Sequence, residues 1–255
     1  MARSRRRAVT LLAGPILIVA SACVPDRSDE PRTPPLGSAA VAFEATDGVA
    51  LEGRLFGEEN ATGLGVVLSH ELPEDQTIWW DFAERLAEEG YLVLTYNFRG
   101  YCPGGRGGCS EGGKSIASIW QDTLGAIGYL RSQGASRLAL VGSSMGGTSS
   151  IVAAAQDELG VQVVVTLSAP MSIDGLTVTP AMLQDITAAK LFLAGSGDAS
   201  AAADAQALFR DASLPKRVEI VSSDAHGTLL LLEGPSELVR SYIETELDKY
   251  LREAS

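Results

Sequence analysis

Histidine and cysteine are scarce in this 255-residue chain, which has two of the first and three of the second. His70 and His226 stand far apart, and Cys23, Cys102 and Cys109 form no recognised ligand spacing with them, so no metal site and no cofactor is expected. Positive charge is short as well: 20 Lys plus Arg stand against 32 Asp plus Glu, a formal charge of −12. That balance disfavours nucleic acid and anionic polymers as partners. It says little about a substrate, because scattered acidic residues usually just solvate a surface. No internal repeat is evident. Long apolar runs are missing too: Ala8 to Ala20, about 13 residues, is too short to span a bilayer comfortably.

That short run has its own reading. Arg3, Arg5, Arg6 and Arg7 precede it and Ala20-Ser21-Ala22-Cys23 follows, the pattern of a signal peptide over residues 1–22. Small residues directly before a cysteine resemble a bacterial lipobox, with Cys23 becoming the lipidated first residue. The arginines loosely resemble a twin-arginine signal, but Ala8-Val9 fits its usual positions poorly, so export is expected and its route is open. Residues 23–40, with Pro25, Pro31, Pro34 and Pro35 among charges, cannot pack a core and read as a tether. Removing residues 1–22 takes away four arginines and no acid, moving the formal charge to −16. Residues 41–255 suit one domain.

The most informative segment is Val141-Gly142-Ser143-Ser144-Met145-Gly146-Gly147, a Gly-x-Ser-x-Gly at the end of the apolar run Arg137 to Val141. A serine there sits on a sharp strand-to-helix turn whose neighbours must be small, and Thr148 to Gln156 continue as a helix-compatible stretch. Ser144 is therefore the candidate nucleophile. A serine hydroxyl needs a general base, usually a histidine oriented by a carboxylate. His226 is the better candidate, lying between the strand Val218 to Val221 and a C-terminal helix expected from about Pro235 to Tyr250. Asp198 closes the strand and glycine turn Leu191 to Gly197, from which its carboxylate would project at the sheet's carboxyl edge. Taken alone, Asp198 also reads as an N-cap for Ala199 to Leu208, and His226 as a solvated loop residue. The chain order Ser144, Asp198, His226 is that of α/β-hydrolases.

His70 ends the strand Gly65 to Ser69 and opens the loop His70-Glu71-Leu72-Pro73. Backbone matters more than imidazole here: the N–H groups of Met145 and Leu72 are the candidate oxyanion donors, each worth roughly 3–4 kcal/mol, and a structural role is expected for the His70 side chain. Glu71 either pairs with Arg99 beneath the site or faces solvent.

Strand-like runs at 41–43, 49–55, 65–69, 92–96, 138–141, 161–167, 190–194 and 217–221 alternate, from about Ile78 onward, with helical patterns. One helix carries Trp79, Phe82 and Leu86 and ends at Gly90; another carries Ile116, Ile119, Trp120, Leu124, Ile127 and Leu130. The first two strands are expected to form an antiparallel hairpin turning at Asp47-Gly48. The whole predicts a mostly parallel eight-stranded sheet with helices on both faces.

The His70-Glu71 strand end, Asn97-Phe98-Arg99-Gly100-Tyr101, Trp120-Gln121-Asp122, the Ser144 turn, Gly195-Ser196-Gly197-Asp198 and His226-Gly227 occur in the order seen in the α/β-hydrolase superfamily. Together they span about residues 41–252. Within it the chain resembles the small, lidless serine esterases and the dienelactone-hydrolase-like proteins, in which a His-Glu or Gln-Glu pair replaces the commoner His-Gly. It departs from dienelactone hydrolases proper in having serine where they use cysteine.

The resemblance implies acyl transfer. The usual lid position, Ser168 to Ala189, has room for a connecting helix but for no large lid. Cys102 and Cys109 flank a glycine-rich loop and are expected to be bridged, since an exported protein meets oxidising conditions, with a stabilisation of roughly 2.5 kcal/mol. The sequence thus predicts an exported, membrane-anchored serine hydrolase acting on a small-molecule acyl substrate. An acyltransferase or peptidase using the same triad is the enzymatic alternative, and a catalytically silent surface-binding scaffold the non-enzymatic one. Oligomeric state is not legible.

Overall fold

The computed structural model describes residues 33–58, 63–101, 109–158 and 160–253. The segment read as a signal peptide, Cys23, most of the segment read as a tether, and Cys102 lie outside the described residues.

The chain opens with an antiparallel hairpin, β1 (Ser38–Glu44) and β2 (Ala50–Phe56), in register from Ser38↔Phe56 to Glu44↔Ala50. Pairing thus begins within the segment read as tether. The expected turn is present, with Gly48 N–H donating to the Ala45 carbonyl at 2.9 Å. Next come β3 (Leu64–Ser69), α1 (Trp80–Glu88), β4 (Leu92–Tyr96), α2 (Ile119–Ser132), β5 (Arg137–Ser143), α3 (Met145–Gln156) and β6 (Val163–Leu167). A two-stranded hairpin, β7 (Ser172–Ile173) with β8 (Leu176–Thr177), and α4 (Pro180–Asp185) precede β9 (Ala189–Gly195), α5 (Ala199–Asp211), β10 (Lys216–Val221) and α6 (Ser236–Leu247). The last helix stops short of Tyr250, and a π-helical turn takes over at Asp248–Arg252.

The eight-stranded sheet runs β1-β2-β4-β3-β5-β6-β9-β10. It is parallel from β4 to β10, with β2 antiparallel to β4. Its central strands β3, β4, β5, β6 and β9 are buried on both faces, which explains their unbroken apolar runs. Val67, Leu94, Leu140, Val164 and Phe192 pack under α2, α3 and α5 with Ile127, Ile151 and Leu208. Their alternates Val66, Val93, Val141, Val165 and Leu193 pack under α1 and α6 with Phe82, Leu86, Val239 and Ile243. Side chains alternate across a strand, so two cores share one sheet.

The 168–189 connection holds no large lid. It does hold a hairpin that the sequence reading passed over, turning at Asp174-Gly175 with φ of 42° and 87°. A two-residue loop with both φ positive suits the twist of a tight hairpin, and Asp-Gly is among the pairs that adopt it most readily. Gly175 packs against Ala117 in the short helical turn before α2.

Candidate active site

The expected catalytic residues all lie at the carboxyl edge of the parallel sheet. Ser144 sits between β5 and α3 at φ 48°, ψ −119°, a conformation rare for a residue with a Cβ. Its N–H donates to the Leu167 carbonyl at 2.8 Å, tying the turn to β6. Space around the turn is closed by main chain. A Cβ on Gly142 would collide with the backbone of Gly146, and one on Gly146 with the Ser69 and His70 carbonyls. Glycine at both positions is thus a steric requirement of the tight turn.

Asp198 and His226 come from the loops after β9 and β10, neighbours in the sheet. His226 Nδ1 lies 2.5 Å from Asp198 Oδ2. The other oxygen, Oδ1, accepts the Ala201 N–H at 3.3 Å, so Asp198 is also the N-cap of α5. One carboxylate thus caps α5 with one oxygen and meets the His226 ring with the other. Burial tends to raise the Asp198 carboxyl, but the bonds from His226 and the Ala201 amide outweigh it and hold it below the ordinary carboxylate range. The two loops are joined by the Gly197 N–H to the Ser223 carbonyl at 2.9 Å. The His226 side chain is 46% exposed, consistent with an open cleft. Ser144 Oγ makes no hydrogen bond among the described residues.

Met145 is the first residue of α3, so its N–H has no acceptor within the helix. Its sulfur accepts from the Tyr101 hydroxyl at 3.8 Å. Leu72, across the turn, is 40% exposed. The loop bearing it is anchored from within by His70, which is fully buried. Phe98 N–H donates to His70 Nε2 at 3.1 Å, which places the ring proton on Nδ1 for donation to the Glu71 carbonyl at 3.0 Å. Burial pushes this imidazole down to about 4 despite that bond, so it stays neutral and ties the loop after β3 to the loop after β4.

Glu71 neither pairs with Arg99 nor faces solvent, and both sequence readings of it are corrected. Sheet order gives the reason: β3 lies between β4 and β5. Arg99, beyond β4, turns away to Asp122 (2.6 Å) and Asp47 (2.7 Å). Glu71 turns the other way and is 6% exposed. It accepts from Ser143 Oγ, from Thr228 N–H at 3.2 Å and from Thr228 Oγ1 at 2.8 Å. Ser168 closes the same cluster, its Oγ accepting the Gly227 N–H at 3.0 Å. Ser143, Ser168 and Thr228 were not singled out by the sequence, where nothing local marks them.

No group of three or more His, Cys, Asp or Glu residues among the described residues is arranged to hold a metal ion.

No curated protein gives a significant sequence match. Solved structures do share the fold. An esterase from Pyrococcus furiosus is 18% identical with a TM-score of 0.69, covering 84% of this chain and 92% of its own. A dienelactone hydrolase from Anabaena variabilis is 21% identical with a TM-score of 0.68, covering 85% and 100%. An enol-lactonase from Burkholderia xenovorans is 18% identical with a TM-score of 0.65, covering 80% and 99%. At such identities the likeness is one of architecture. The family described as serine aminopeptidase, S33, matches residues 63–226, from the start of β3 to His226 itself. With most of the parallel sheet and its connecting loops inside that match, the chain belongs to the serine aminopeptidase S33 family and is an α/β-hydrolase.

Proposed function

We propose that the protein is a serine hydrolase that cleaves carboxylic esters or related acyl bonds through Ser144, His226 and Asp198. The observation that carries this reading is the 2.5 Å contact between His226 Nδ1 and Asp198 Oδ2 at the same sheet edge as the strained Ser144 turn. Asp198 fixes the tautomer that leaves Nε2 free as a base. Nε2 takes the Ser144 proton as Oγ attacks the acyl carbon, and the tetrahedral oxyanion is met by the N–H groups of Met145 and Leu72. Collapse expels the leaving group, protonated by His226, and leaves an acyl-serine. Water activated by the same imidazole then releases the acid.

The family description names a peptidase, while the structural relatives named above are an esterase and lactone hydrolases. The triad serves all of these, so the scissile bond is set by the cleft. An open cleft with no large lid favours small acyl substrates. The deciding experiment is fluorophosphonate labelling followed by parallel turnover of p-nitrophenyl esters of increasing chain length and of aminoacyl p-nitroanilides. Labelling at Ser144 with ester turnover is expected. Anilide turnover alone would make the protein a peptidase, and absent labelling with no turnover would make it a silent scaffold.

We further propose that the protein is exported, cleaved before Cys23 and held on the membrane by lipid on that residue. Two acyl chains on one cysteine supply the two anchors that stable attachment needs. Cys23→Ser is expected to release it into the soluble fraction, and retention of that variant on the membrane would overturn the anchor. Cys102 and Cys109 are proposed to be bridged. Thiol counting by mass spectrometry before and after reduction checks this, two free thiols in exported protein being the contrary result.

A further inference from the structure

Glu71 is a buried carboxylate with no cation beside it among the described residues. Its partners are three neutral donors, Ser143 Oγ, Thr228 N–H and Thr228 Oγ1. Burying a carboxylate is costly, and neutral donors offset the cost less completely than an arginine would. Packing alone does not call for a charged side chain here. The placement of the partners is informative. Ser143 immediately precedes Ser144, and Thr228 lies two residues past His226. Gly227, between His226 and Thr228, packs so closely on Glu71 Oε2 that a Cβ there would collide with it. One carboxylate therefore touches both the turn bearing Ser144 and the loop bearing His226, while the main-chain carbonyl of Glu71 accepts from His70, whose ring accepts the Phe98 N–H.

Resting on the serine-hydrolase reading above, we propose that Glu71 is a positioning residue that clamps the His226 loop to the Ser144 turn and supplies a fixed negative charge next to the base. Asp198 orients His226 from the loop after β9, and Glu71 acts from the loop after β3, so the base is held from both sides of β5 and β6. When the imidazole takes the serine proton it becomes a cation, and a preorganised negative charge nearby lowers the energy of that state without moving. The other ionisable groups near the base are few. Asp198 accepts from Nδ1, and Asp224 lies on the base's own loop against Gly197. His70 beside Glu71 is neutral, and the Lys114 ammonium lies 4.4 Å from the centroid of the Tyr101 ring. Glu71 does not reach the substrate and takes no proton in the reaction.

The test is Glu71→Gln, which keeps the shape, lets the amide oxygen accept from Ser143 Oγ and Thr228 N–H while the amide N–H donates to Thr228 Oγ1, and removes the charge. The expected result is a fall in kcat of about 10- to 100-fold, the scale on which small misplacement of reacting groups is felt, with KM within about twofold. The acid limb of the kcat/KM profile, which reports protonation of the free base, should move to lower pH. A purely structural role would lower activity through loss of folded protein and leave that limb in place. Glu71→Asp, which restores charge on a shorter arm, should return the limb towards its wild-type position more fully than it restores kcat. If Glu71→Gln does not fold, Thr228→Val decides: a fall in kcat at unchanged KM supports the clamp, and unchanged kcat overturns it. Wild-type rate and an unmoved limb in a folded Glu71→Gln overturn the proposal while leaving the hydrolase reading intact. Wild-type protein that neither labels at Ser144 nor turns over esters overturns the hydrolase reading itself.

Discussion

Asp198 reaches His226 with one carboxylate oxygen and the first turn of α5 with the other, at 2.5 Å and 3.3 Å. The helix cap and the hydrogen bond to His226 thus hold the same side chain, and neither can be lost without loosening the other.

Asp198→Asn is accordingly expected to lower ester turnover by roughly 10³- to 10⁴-fold, because an amide can donate to Nδ1 and hold the wrong tautomer. Stability should fall by no more than about 1 kcal/mol, since asparagine caps helices nearly as well as aspartate. Asp224→Asn and Asp174→Asn should each stay within about threefold of wild type, as neither carboxylate bonds to His226 among the described residues. Steady-state kinetics on the three variants checks this, and an inactive Asp224→Asn would transfer the role.

Ser144→Ala and His226→Ala are each expected to lower turnover by about 10⁴- to 10⁶-fold, with the double variant little worse, since nucleophile and base act as a unit. Additive losses would mean that the two residues work independently. Fluorophosphonate labelling of the same variants, absent in Ser144→Ala, separates nucleophile from base.

His70 gives a stability prediction whose sign follows from its burial. Its imidazole is held down at about 4 in the folded protein, against about 6.5 when unfolded. Between those values the unfolded chain binds the extra proton and the folded one does not. The contribution is therefore fully present above about pH 6.5 and is lost as pH falls towards 4, amounting to roughly 3 kcal/mol at most. Urea midpoints at pH 7 and pH 4.5 should differ less in His70→Gln than in wild type, although the variant is less stable at pH 7. An equal midpoint difference in the two proteins would contradict a neutral His70.

Arg99 pairs with a fully buried Asp122 and with an Asp47 that is 34% exposed. Arg99→Met leaves the Asp122 charge stranded and is expected to cost about 3–5 kcal/mol. Asp47→Asn removes only the outer partner and should cost less than about 1 kcal/mol. Thermal denaturation of both variants reads the difference directly.

How much of this was legible in the sequence differs from element to element for physical reasons. Strand β4 is recovered to the residue at Leu92–Tyr96 because every side chain in it is buried, so one apolar block marks both ends. Helix α6 ends at Leu247, before the Tyr250 expected, because apolar spacing continues unbroken into the π-helical turn. The β7–β8 hairpin passed unnoticed because strands of two residues carry no periodicity, although Asp174-Gly175 was its signal. Ser144, Asp198 and His226 could be singled out as candidates because each sits at a strand end with its own local punctuation. The partners of Glu71 could not, lying 72 and 157 residues away and approaching it only once β3 and β5 pair.

The closeness of Gly142 and Gly146 bears on how such a protein can change over generations. Around Ser144 the fit is peptide group against peptide group, Gly142 on Gly146 and Gly146 on the Ser69 and His70 carbonyls. Peptide groups are the same in every protein, so the turn that carries the proposed nucleophile is shaped by atoms that substitution cannot rewrite. The exposed Leu72 and the contact between the Asp174-Gly175 hairpin and Ala117 are built from side chains and short loops, and these can drift. Selection can alter what is admitted at the sheet edge while the shape of the Ser144 turn is inherited unchanged.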